Sequence, residues 1–120
     1  MTRAQRTLYS LLMAENKAAQ NAGEPFLRNG KQTIGSITET ISEEAAAAMV
    51  QELRDGSFEE NFRANQEEEE KDWNSEEYTK RPACRMEFLL WEIYLLDYSG
   101  IHWEEMQRAL LDIAQQIYFP

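Results

Sequence analysis

The stretch ACRMEFLLWEIYLLDY, residues 83–98, decides the predicted fold because it is apolar on nearly every side. Pro82 precedes this stretch, and proline is favoured at the first position of a helix. A helix that is apolar around most of its circumference usually lies at the centre of its fold. The sequence therefore predicts a central helix here. The charged exceptions within it are Arg85, Glu87, Glu92 and Asp97.

A further helix should follow the break at Ser99-Gly100. Its apolar residues recur at intervals of three and four, which is the spacing of one helical face. They are Trp103, Met106, Leu110, Ile113 and Ile117. The short connection predicts that the last two helices form a C-terminal antiparallel hairpin. Core packing is the expected role of their aromatic side chains, which are Phe88, Trp91, Tyr94 and Trp103.

Three helices are predicted before this hairpin. Residues 2–22 should form the first, because Thr2 and Gln5 have the spacing of a capping box. The second should begin between Ser36 and Ser42 and end at Arg54, since EEAAAAMVQELR has high helix propensity. Gly56 ends it, and the third helix should begin at Ser57. The SFEE motif at 57–60 is again a capping-box pattern.

The pattern at residues 26–34 predicts a short β-hairpin. Asn29-Gly30 is a strong hairpin signal, because both residues tolerate positive φ. The flanking pairs Phe26-Leu27 and Thr33-Ile34 could form the two arms. Such short arms are marginal in isolation, so the alternative is an ordered loop.

These patterns predict an all-α fold, or nearly so: four to five helices in a small bundle. The 120 residues suit one domain spanning 1–120. Cys84 is the single cysteine, so no internal disulfide can form and an intracellular, cytoplasmic setting is expected. No apolar run approaches the roughly 18–20 residues of a membrane helix, so no membrane association is expected.

The acidic residues are concentrated in one third of the chain. Net charge is −10, and residues 39–77 hold fourteen acidic residues against three basic ones. The first 38 residues instead carry a net charge of +3, and the last 43 carry −2. Direct nucleic-acid binding by the acidic segment is excluded, because phosphates are bound by Lys and Arg. The expected partner is a basic protein.

The glutamate run at 67–70 is not explained by helix stability. Carboxylates at the C-terminal end of a helix oppose its dipole and repel one another. The third helix therefore either ends in this run or continues through it to Trp73. A mobile acidic linker over 65–80 is the alternative.

No catalytic or metal-binding motif is recognisable. His102 is the single histidine, and Cys84 lies eighteen residues before it. EEEEKD lacks the glycine turn and alternating ligands of a calcium loop, and the Glu-x-x-His motif of di-iron bundles is missing. We expect no metal, no cofactor and no enzymatic activity, with a small enzyme that uses His102 as a rival hypothesis.

The hypothesis for function is that the acidic segment binds a cationic surface. Charge complementarity steers encounter, and carboxylates one helical turn apart lie roughly 5–6 Å from each other, similar to phosphates along DNA. Trp73 is the candidate anchor, although it could instead pin a loop to the core. The candidate partner-binding residues are Glu59, Glu60, Glu67, Glu68, Glu69, Glu70, Asp72, Trp73, Glu76 and Glu77.

In size and charge alone, the chain is similar to phage anti-restriction and anti-CRISPR inhibitors. This similarity implies an anti-defence inhibitor of a nucleic-acid-binding enzyme or effector that acts by charge mimicry. An antitoxin or immunity protein is a variant with a toxin as the basic target. The alternative function is a helical assembly adaptor that forms homo-oligomers through the 103–117 face.

Overall fold

The structure, a computed structural model, describes residues 1–72, 84–98, 100 and 103–119, and of residues 68–72 it describes the helical backbone only. Within these ranges the chain forms six α-helices and no β-strand. The all-α prediction is therefore confirmed, but the predicted number of four to five helices is too low, because residues 30–40 form a helix of their own. The helices are α1 (Arg3–Asn21), α2 (Gly30–Thr40), α3 (Glu43–Asp55), α4 (Ser57–Asp72), α5 (Arg85–Leu96) and α6 (Trp103–Tyr118).

The predicted β-hairpin at 26–34 is wrong, because Gly30 begins α2. An Asn-Gly hairpin turn needs positive φ at both residues. Asn29 instead has a φ of −106° at the N-cap of α2, and Gly30 is helical. The segment forms a helix because its apolar side chains face the core at intervals of three and four. The buried residues of this face are Ile34, Ile37, Thr38 and Ile41.

A buried asparagine holds the connection between α1 and α2. Asn16 Oδ1 accepts a hydrogen bond from Leu27 N at 2.6 Å, and Asn16 Nδ2 donates to Leu27 O at 3.0 Å. A Cβ at Gly30 would lie 2.5 Å from Asn16 Nδ2, so glycine is required where α2 begins. The asparagine thus sets where the chain turns from α1 into α2.

The predicted boundaries of the N-terminal helices are confirmed where the capping residues set them. Thr2 caps α1 in a full capping box with Gln5. Ser42 caps α3 by accepting a hydrogen bond from Ala45 N, at the late end of the predicted range. Gly56 ends α3 with a φ of 87°, a left-handed conformation that favours glycine.

The central position of α5 follows from its contacts. It packs against α1, α3 and α6, and Phe88 meets Phe58 of α4 with ring centroids 5.5 Å apart. Asp97 Oδ2 at its C-terminal end accepts a hydrogen bond from Ser42 N, 2.6 Å away, which ties α5 to the start of α3. The buried residues of α5 are Met86, Phe88, Leu89, Leu90 and Ile93.

The last two helices pack together, with the Tyr94 and Trp103 ring centroids 5.1 Å apart. Their antiparallel arrangement as a hairpin stays a prediction. Pro82 and Ser99 lie outside the described residues. None of the helices in the described ranges is long and apolar enough to cross a membrane.

Replacing Asn16 with alanine should lower the free energy of unfolding by about 1–3 kcal/mol, because the peptide N–H and C=O of Leu27 lose their buried partner. Urea denaturation followed by far-UV circular dichroism measures this difference. Gln20→Ala is the control, since Gln20 is exposed on the same helix. Equal stability of the two variants would show that the Asn16 hydrogen bonds contribute nothing.

Candidate functional site

The structure places the predicted acidic residues in three groups. Glu59, Glu60 and Glu67 are exposed on α4. Glu68, Glu69, Glu70 and Asp72 lie in the same helix, with only their backbone described. Trp73, Glu76 and Glu77 lie outside the described residues. Because α4 continues to Asp72, the glutamate run is helical. The predicted linker therefore begins inside α4, and its part over 73–80 is outside the described residues.

Glu59 makes an internal ion pair that the sequence did not predict. Arg85, at the start of α5, donates to both carboxylate oxygens of Glu15 on α1, at 2.7 and 3.0 Å, and it also pairs with Glu59. Its guanidinium carbon lies 4.9 Å from the centroid of the Phe58 ring. The hydrogen bond from Arg85 lowers the pKa of Glu59. Glu59 therefore helps to join α4 to α1 and α5.

Apart from Asp55, which accepts hydrogen bonds from Ser57, and Glu59, which pairs with Arg85, the exposed carboxylates of the acidic segment form two separate groups in the described part of the chain. One lies where α2 ends and α3 begins, and it contains Glu39, Glu43 and Glu44. The other lies on α4 and contains Glu60 and Glu67. We call these five residues the acidic surface. None of them forms an ion pair with another described side chain.

The spacing on α4 differs from the expected repeat of one charge per helical turn. Glu60 and Glu67 are about 10 Å apart along the helix, at 1.5 Å per residue. Arg63 is exposed between them and contributes a positive charge. A closer repeat of negative charge on α4 therefore depends on the glutamate run that follows. Glu39, Glu43 and Glu44 belong to the acidic segment but were not among the candidate partner-binding residues.

A pair of carboxyl groups lies between α3 and α5. Burial raises the pKa of Glu92, and so do the negative charge of Glu52 and its hydrogen bond with Glu92. The second oxygen of Glu52, Oε2, is buried and has no hydrogen-bond partner. Burial and a neighbouring negative charge both disfavour the charged form of Glu92. The hydrogen bond between Glu52 and Glu92 contributes to the packing of α3 against α5.

Neither carboxyl group of this pair lines any of three grooves in the described part of the chain. The grooves on α2, between α1 and α3, and between α5 and α6 are lined by other residues. Within the described ranges, no three histidine, cysteine or acidic side chains come together as a set that could hold a metal ion. Cys84 is buried, and this burial raises the pKa of its thiol. His102 lies outside the described residues.

The apolar surface of the last two helices is unusually exposed. Of the eight large hydrophobic side chains exposed in the described part of the chain, seven lie between residues 95 and 119. Trp103 is 45% exposed and Leu111 is 59% exposed. The expectation that Trp103 is a core residue is therefore wrong in part: its ring contacts Tyr94, but it also faces solvent.

A groove between α5 and α6 has a volume of about 520 Å³. We call it the α5–α6 groove. Trp91 and Glu87 of α5 line it, together with residues of α6. These α6 residues include Trp103, Leu110, Leu111 and Tyr118. At 100° per residue, the buried and groove-lining apolar residues of α6 together cover about 200° of its circumference, twice the arc of an ordinary amphipathic helix.

Glu59→Gln should lower the free energy of unfolding by about 0.5–1 kcal/mol at pH 7, because it weakens the ion pair with Arg85. Since the pKa of Glu59 is lowered in the folded state, its contribution is present above its ordinary value of 4.5 and is lost as the pH falls. Chemical denaturation at pH 7 and pH 3 measures both effects. Glu60→Gln is the neighbouring exposed control. A Glu59→Gln variant as stable as this control would contradict the prediction.

Glu92→Gln should raise the free energy of unfolding at pH 7 by roughly 1 kcal/mol, because the amide donates to Glu52 without adding a second charge. The pKa of Glu92 is raised in the folded state, so its contribution is full below 4.5 and is lost as the pH rises. The gain over wild type should therefore vanish near pH 4. Thermal unfolding across pH 4–8 checks this, with Glu24→Gln as an exposed control. A loss of stability at pH 7 would contradict this prediction.

Comparisons of the chain with models of protein families, with curated proteins and with solved structures found no match.

Proposed function

We propose that the protein is a non-enzymatic inhibitor that binds a basic, nucleic-acid-binding protein and blocks its site by charge. The observation that carries this proposal is the charge of residues 39–77, with fourteen acidic residues against three basic ones. The exposure of the acidic surface supports it. A compact helical scaffold holds these carboxylates in solvent, where a partner can reach them.

The acidic surface acts first on the rate of association. Localised charge raises the local concentration of a cationic partner and speeds correct encounter, an effect that falls with ionic strength. In the described part of the chain, the residues of α4 that raise the association rate are Glu60 and Glu67. Glu39, Glu43 and Glu44 have the same role. Glu59 contributes less, because Arg85 already neutralises much of its charge.

The partner's site is one that ordinarily binds phosphates. Lys and Arg dominate such sites, and the release of counterions makes their complexes sensitive to salt. An anionic protein in that position excludes nucleic acid by occupying the same cationic side chains. A restriction or CRISPR effector, or a toxin that acts on nucleic acid, has the required surface. Duplex DNA should then compete with the inhibitor.

Glu60→Gln/Glu67→Gln should slow association with the partner about two- to fivefold and should flatten the dependence of affinity on salt, since rim charges act mainly on the association rate. The immobilised protein captures partners from lysate at low salt, duplex DNA elutes them, and surface plasmon resonance measures the rates with the purified partner.

Ala18→Lys/Gln20→Lys is the matched control, because it changes the net charge by the same two units at exposed positions of α1 outside the acidic segment. The control should associate at close to the wild-type rate. If both variants slow association equally, only overall charge matters. If neither does, or if DNA fails to elute the captured protein, the proposed function is wrong.

A helical assembly adaptor is the second candidate, and the exposed apolar side chains of α5 and α6 favour it. Apolar patches of this kind commonly mark protein-binding surfaces. The 103–117 face would then join copies of the chain. Sedimentation velocity at several concentrations separates the two candidates, since an oligomer that persists in high salt indicates assembly.

A further inference from the structure

We draw no further inference here: the strongest candidate, the α5–α6 groove with the exposed apolar side chains beside it, carries nothing, because nothing in the described residues shows what covers this face.

Discussion

Because α5 carries apolar side chains around most of its circumference, α1, α3, α4 and α6 take positions that cover it. The charged residue at its start is accommodated by opposite charge: Arg85 lies between Glu15 of α1 and Glu59 of α4 and stacks on Phe58. Coverage is incomplete beside Trp91, where α6 packs against α5 and leaves a groove, and at Leu95, which is 68% exposed. The same requirement to bury α5 thus produces both the core and the apolar surface that remains exposed.

The sequence was sufficient to predict the helices whose ends are determined by local hydrogen bonds. The capping box at Thr2, the cap at Ser42 and the left-handed Gly56 act within a few residues, so their patterns can be read directly. The α2 helix was missed because a local signal, Asn-Gly, was overridden by distant contacts. Asn16 of α1 forms two hydrogen bonds with the backbone of Leu27. The burial of Ile34 and Ile37 in the core stabilises the helix more than a short hairpin would be stabilised by its own hydrogen bonds.

The candidate site was predicted less well, since it depends on which side chains meet across helices. The pattern within a single helix does not indicate that Glu59 of α4 will pair with Arg85. Nor does it indicate that Glu52 of α3 will lie near Glu92 of α5. The second apolar face of α6 did have a signal in the sequence. Leu111, Ala114 and Tyr118 recur at three and four residues, one position removed from the face that was predicted. The apolar arc of a helix with two such faces is wider than packing against a single core requires.

The internal pairs also determine which carboxylates remain for a partner. A carboxylate whose charge is compensated or buried inside the protein attracts a cationic surface weakly, and two acidic residues of the 39–77 segment are of this kind. Arg85 compensates the charge of Glu59, and Glu52 is half-buried beside Glu92 of α5. The members of the acidic surface are exposed to solvent and form no ion pair among the described residues. Solvation therefore divides one acidic segment into residues that stabilise the fold and residues available for binding.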